Sequence, residues 1–189
     1  MIVDSQAVKN TCTASLASKG FCHYEVTNGI KRHLAVDSLG FPFFTHCSKA
    51  SDTDNQGLID MLCHNMQYFR SKPMTIPKIT ILLDQGYHPE VIRAALEKVY
   101  PAIMKKVRFE RSAKPSKAEK NLAGNTGFVP FAMRWAVERS NAWLERCKSL
   151  VKNFEATHNA RANLNLCFIR LMLRRLVKSW KIPNGFYKQ

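Results

Sequence analysis

ITILLDQGYHPE, residues 79–90, runs almost unbroken through apolar side chains, stops on Asp84 and turns at once through Gly86. Ile79, Ile81, Leu82 and Leu83 make a run too short and too β-branched for a helix, which predicts a strand buried on both faces. Pro89 and Glu90 then open a helix, because proline and an early acid suit a first turn. Its expected core face is Val91, Ile92, Ala95, Leu96 and Val99. A carboxylate at the end of a buried strand is costly unless its charge is compensated. In open α/β sheets that same strand end is where ligands bind. Asp84 is therefore either a satisfied turn-former or a functional carboxylate, and the rest of the chain has to decide.

Upstream, MIVD (Met1–Asp4) reads as the last part of a strand and the segment through Asn28-Gly29 as loop. RHLAVDSLGFPFFTH (Arg32–His46) predicts two strands around a D-S-L-G turn. Asn55 to Phe69 predicts a helix with Leu58, Leu62, Met66 and Phe69 on one face. KKVRFER (Lys105–Arg111) is a further strand. Ser112 to Gly127 is a polar loop in which Arg111, Lys114, Lys117 and Lys120 recur at every third position, as a solvated linker or a DNA-contacting loop. Phe131 to Phe154 carries a long helical stripe through Met133, Val137, Ser140, Leu144, Cys147, Val151 and Phe154. Glu138 borders that stripe. A last helix, Ala162 to Trp180, pairs a wide apolar face with Arg170, Arg174 and Lys178. Three strands followed by α/β alternation make a mixed sheet flanked by helices, the order of an RNase H-like α/β fold. One domain over residues 1–181 with a short tail at 182–189 accounts for the whole length.

The composition narrows the partner. Among 189 residues, 29 Lys and Arg against 14 Asp and Glu leave a net charge of +15, with a pI near 9.8. That exceeds what solubility asks of a small domain and points to a polyanion, nucleic acid ahead of an anionic membrane. The longest apolar region, Leu164 to Trp180, is interrupted by Arg170, Arg174, Arg175 and Lys178 and is no spanning helix. No signal peptide opens the chain, so a soluble, cytoplasmic, nucleoid-associated protein is expected. Cys12, Cys22, Cys47, Cys63, Cys147 and Cys167 include no C-x-x-C pair. Where cysteine adjoins histidine (Cys22-His23, His46-Cys47, Cys63-His64), neighbours in a strand point to opposite faces and make poor joint zinc ligands. Reduced structural thiols are the expectation.

In such a fold, acids at the first strand, the fourth strand and a later helix are the catalytic candidates: Asp4, Asp84 and Glu138. Bare carboxylates repel a phosphodiester. Divalent cations between them reverse the sign, and Mg²⁺ or Mn²⁺, hard and oxygen-loving, suits the donors. Asp37 also ends an apolar strand but lies in the D-S-L-G turn, where aspartate is favoured at the first position.

Four pieces in order now make a pattern: V-D-S-Q-A-V-K (Val3–Lys9), G-I-K-R-H-L-A-V-D-S-L-G (Gly29–Gly40), L-L-D-Q-G-Y (Leu82–Tyr87) and R-W-A-V-E-R-S-N-A-W-L-E-R (Arg134–Arg146). The chain resembles the catalytic domain of DDE transposases from bacterial insertion sequences, from Val3 to about Arg175. The resemblance implies that Asp4, Asp84 and Glu138 are the catalytic, metal-holding triad, with two Mg²⁺ or Mn²⁺ ions, and that Asp84 is a metal ligand. It implies DNA, both transposon ends and target, as the partner of an oligomer, with Lys9, Arg134, Arg146 and Lys148 contacting DNA. The family's Tyr-x-x-Arg-x-x-x-Glu-x₆-Lys helix is matched at Arg134 and Glu138; Phe131 replaces the tyrosine and Glu145 the lysine, while Arg146 and Lys148 offer positive charge. The family's helical DNA-binding region is not expected ahead of Asp4, which suggests the downstream half of a two-frame element, working with an upstream-frame product, or a decayed fragment. The expected activity is hydrolytic strand cleavage and strand transfer. A nuclease on the same fold and a non-catalytic, regulatory DNA-binding fragment are the alternatives.

Overall fold

The computed structural model describes residues 1–75, 77–111 and 134–179. β1 (Ile2–Lys9) lies antiparallel to β3 (Thr27–Val36) along its whole length, from Ile2 opposite Val36 to Lys9 opposite Gly29. β1 thus continues past Asp4, where the sequence suggests an end. The polar residues that hide this continuation have partners on both faces: Ser5 Oγ donates to Asp54 Oδ1 at 2.8 Å and Gln6 Nε2 to Glu145 Oε1 at 3.4 Å. Part of the expected loop is likewise strand, β2 (Gly20–Cys22), paired with Thr27–Gly29.

β4 (Pro42–Lys49) pairs with the remainder of β3 through the predicted turn. Asp37 forms that turn: its Oδ1 accepts from the amides of Leu39 and Phe41, both at 2.8 Å. Gly40 completes it at φ +79°, a left-handed conformation open to glycine. β5 (Ile79–Leu83) joins β1 in parallel, Ile2 opposite Leu82, and β6 (Val107–Arg111) joins β5 in parallel. The main path across the sheet is β4-β3-β1-β5-β6, with β2 on the same side of β3 as β4. Three antiparallel strands followed by two parallel ones give the expected mixed sheet, compatible with an RNase H-like fold.

Side chains alternate across the strands and build two cores. On one face Val3, Ile81 and Leu83 pack with Leu58, Leu62, Phe69, Ile92 and Leu96. The last five come from α1 (Asp54–His64), α2 (Met66–Ser71) and α3 (Pro89–Val99). On the other, Ile2, Val8, Ile30 and Leu34 pack with Val137, Leu144, Leu164 and Phe168. These helical partners come from α4 (Arg134–Glu145) and α6 (Thr157–Ser179), with the short α5 (Lys148–Val151) between them.

Three helical expectations change. The Asn55–Phe69 helix breaks at Asn65, whose side chain donates to the Met61 carbonyl at 2.7 Å and so ends α1. The Phe131–Phe154 helix divides after Glu145, and Val151 and Phe154 are exposed. In α3 only Ile92 and Leu96 of the predicted face are buried, while Val91 and Val99 face solvent. The Ser112–Gly127 loop, Phe131, Met133, Trp180 and the 182–189 tail lie outside the described residues. All six cysteines are free thiols. Among the described residues no helix is long and apolar enough to cross a membrane.

A buried histidine makes the fold acid-sensitive. His33 is fully buried, with Nε2 hydrogen-bonded to Ser48 Oγ at 3.0 Å and its ring beside His46. Burial first, then His46 and Lys31, against an opposing pull from Asp54, lower its pKa from 6.5 to about 3. The unfolded chain therefore takes up a proton that the folded chain refuses. Stability from this group is fully present above pH 6.5 and is lost as pH falls from there toward 3. Its contribution to the unfolding free energy should decline by up to about 1.4 kcal/mol per pH unit in that window. Urea titrations at successive pH values should show a shallower decline in His33→Gln than in wild type.

Candidate active site

The alternation that builds the cores also sorts the acids. In β1 the residues facing α4 and α6 are Ile2, Asp4, Gln6 and Val8, while Val3 and Ser5 face α1. In β5, Ile81 and Leu83 pack on the α1 side and Leu82 on the other, so Asp84, two residues on, continues toward α4. The parallel register sets Ile2 beside Leu82. Asp4 and Asp84 each lie two residues beyond that pairing, and both are near enough to the Tyr87 phenol to act on it through their charge. Both acids are half-buried.

α4 lies over this pair. Asn141 Nδ2 donates to Asp4 Oδ2 at 3.0 Å, and Glu145 accepts from Gln6, so the helix tracks β1 in the same direction. Glu138 stands three residues before Asn141 and seven before Glu145, on the same face of the helix. It is exposed. Glu145, which replaces the family's lysine, thus docks α4 on the first strand. Among the described residues no group of three or more His, Cys, Asp or Glu is gathered to hold a metal ion. Asp4 on β1, Asp84 just beyond β5 and Glu138 on α4 thus lie on the same side of the sheet, and among the described residues they form no closed carboxylate cluster.

The loop after Asp84 is pinned from three sides. Its carboxylate accepts from the amide of Gln85 at 2.7 Å. Asn55 of α1 accepts from the His88 amide at 2.8 Å, with its own Nδ2 3.0 Å from His88 Nδ1. Arg111 of β6 donates to the Tyr87 carbonyl at 3.0 Å. Tyr87 turns its ring into the core, where burial above all, then the charges of Asp54, Asp4 and Asp84, push its phenol well above the usual range. The phenol stays neutral among three carboxylates. Behind it, buried Lys31 pairs with Asp54 at 2.9 Å and donates to the Asp52 carbonyl, also at 2.9 Å. A buried ion pair of this kind is supported by the Ser5 hydroxyl on the same Asp54 oxygen.

Of the expected DNA-contacting residues, Lys9, Arg146 and Lys148 are exposed, and the side chain of Arg134 lies outside the described residues. Lys9 ends β1, where its carbonyl accepts from the amide of Asn153 at 2.9 Å. It is thus near the segment that follows α5, about 17 Å along the strand from Asp4. Asn141, Tyr87, Ser5, Asp54 and Lys31 have no role in the sequence reading. The signal that could have found Asn141 is its three-residue spacing from Glu138, and for Ser5 its opposite phase to Asp4 in the strand.

Residues 1–173 match the family model described as the transposase DDE domain. The chain belongs to the DDE transposase family. A curated relative from Burkholderia cepacia, named "Putative transposase for insertion sequence element IS402", is 27% identical over 146 residues, covering 75% of this chain. The chain spans 62% of that relative's length. No solved structure matches. In this transposase domain Asp84 follows the carboxyl end of β5, Asp4 stands within β1, and Asp37 caps the β3–β4 turn.

Proposed function

We propose that the chain is the catalytic part of an insertion-sequence transposase that hydrolyses a DNA strand and then transfers the freed 3′ hydroxyl to target DNA. What supports this reading is that β1 and β5 run in parallel with Asp4 and Asp84 each two residues past their pairing, and that α4, which carries Glu138, docks on Asp4 through Asn141. Two adjacent carboxylates repel each other unless a cation or proton lies between them. As donors they are hard oxygens, which fit Mg²⁺ or Mn²⁺ and not a soft metal.

Asp4, Asp84 and Glu138 would hold two such ions, supplying Lewis acidity at the attacking and departing oxygens of an in-line displacement. Asn141 fixes one oxygen of Asp4, so the carboxylate need not reorient when a ligand arrives. Neutral Tyr87 keeps a third negative charge out of the site. The pinned 85–88 turn holds Asp84 in place. Lys9, Arg134, Arg146 and Lys148 take the phosphates to either side, which positions the duplex without reading its sequence. No side-chain nucleophile is assigned, because water and then a DNA hydroxyl attack. Joining two ends to a target calls for an oligomer on DNA, at the nucleoid, with an upstream-frame product as a further partner.

Incubation with supercoiled plasmid tests this. Nicked or joined products should form with Mg²⁺ or Mn²⁺ and vanish with a chelator. Cleavage that persists in chelator would refute the carboxylate mechanism. DNA binding without cleavage under either metal would favour a regulatory DNA-binding piece, and cleavage without joining a nuclease.

A further inference from the structure

Where α4 ends against α6, a cavity of about 350 Å³ is lined by Arg146, Arg170, Arg174 and Arg175 together with Trp143. Its remaining lining is Cys147 and Leu171, which rest on the second core. Among the described residues none of the four arginines is ion-paired. Four guanidinium groups around one small space repel one another, so the arrangement favours an anion inside it.

The arginines are not merely loose surface cations. Arg175 stacks over the rings of Trp143, at 4.1 Å, and Phe41, at 4.9 Å. Trp143 is also approached by Arg139, which stacks on Trp135 at 4.0 Å. Stacking occupies the flat face of a guanidinium and leaves its in-plane N–H donors available, the geometry that grips a phosphate. Two further arginines that line the cavity, Arg170 and Arg174, stand one turn apart on α6 and so share a face.

We infer that this cavity binds a phosphate of the DNA strand that runs through the active site. The inference rests on the proposed function, since α4 is what links the two places. Trp143 lies five residues beyond Glu138 on one helix, about 8 Å along its axis. That is two to three nucleotides at about 3.4 Å each. With its ring faces taken by arginines, Trp143 serves as a platform for Arg175 and not for a base, so the cavity reads backbone and not sequence. Arg146 alone among its residues is visible as a DNA contact in the sequence; the α6 arginines look like the polar side of an amphipathic helix.

The test is the salt dependence of binding of the full chain to a labelled DNA duplex, by fluorescence anisotropy in chelator so that no cleavage intervenes. Arg170→Gln with Arg174→Gln should reduce the slope of log affinity against log salt by about 1, since one lost phosphate contact is worth about 0.9. Both residues are exposed, and circular dichroism will check that the helix persists. Arg93→Gln with Lys98→Gln, an equal charge change at exposed positions of α3 on the opposite face, should leave the slope unaltered. Equal slopes in wild type and the α6 variant would overturn the inference while leaving the catalytic reading intact, and so would equal losses in both variants. Calorimetric binding of inorganic phosphate that the α6 variant loses, with DNA binding unmoved, would assign the cavity to a free anion and overturn it too. A changed slope beside an inert Asp84 would keep the cavity and remove the catalysis.

Discussion

Asp84→Asn should abolish metal-dependent strand cleavage while the protein keeps its fold. The substitution preserves shape and deletes one charge at a half-buried strand end, so the Gln85 amide can still be accepted by the side-chain oxygen. What is lost is an anionic ligand shared by the proposed metal site. The rate should fall by at least the roughly 10²–10³-fold that follows removal of a single hydrogen-bond donor to a transition state. Asp37→Asn is the matched comparison. Its side-chain oxygen caps the turn by accepting from Leu39 and Phe41, a task asparagine performs as well. Plasmid nicking by the two variants, measured alongside thermal melts, separates two aspartates that end similar apolar strands. Full activity in Asp84→Asn with none in Asp37→Asn would reverse the assignment.

Gly29→Ala should cost more stability than any surface change. Gly29 is buried in β3, with Lys9 of β1 on one side and Gly20 of β2 on the other. A Cβ there would come within 1.9 Å of the Val8 carbonyl oxygen and 2.8 Å of the Asn10 amide. Both are backbone atoms, so no rotamer change can relieve the clash and the strands must part. A loss of about 3 kcal/mol or more is expected, at or beyond the upper end for overpacking. For a chain of this size that is a fall of roughly 6–12 °C in melting temperature. Scanning calorimetry will measure it; a shift below about 2 °C would show that β1 and β3 are less tightly joined at this end than their register implies.

These two positions also show what sequence can and cannot disclose. Asp84 is legible because the run before it is apolar on both faces and one acid stands out at its end. The helix after it, the D-S-L-G hairpin and the final helix are legible for similar reasons: strong periodicity bounded by turn residues. Gly29 looks like the close of a loop because β1 is polar in its middle. Ser5 and Gln6 read as solvent-facing until Asp54 and Glu145 supply their partners from distant parts of the chain. The breaks at Asn65 and after Glu145 escape the pattern because apolar spacing continues across them. The acidic trio is visible as a set, whereas Asn141, which donates to Asp4, and Tyr87, whose phenol feels the Asp4 charge, need the fold to bring them near.

The contact between Asn141 and Asp4 spans 137 positions of the chain, and the pairing of Ile2 with Leu82 encloses the whole β3–β4 hairpin. Contacts so distant close late, since loop entropy is lost before they can repay it. A ribosome makes Asp4 well before Asn141, with 137 positions between them. A nascent or prematurely released polypeptide can therefore display the antiparallel hairpin, and even both aspartates, without the helix that covers them. The aspartates and the helix that covers them therefore become one unit only late in folding, once α4 has docked on β1.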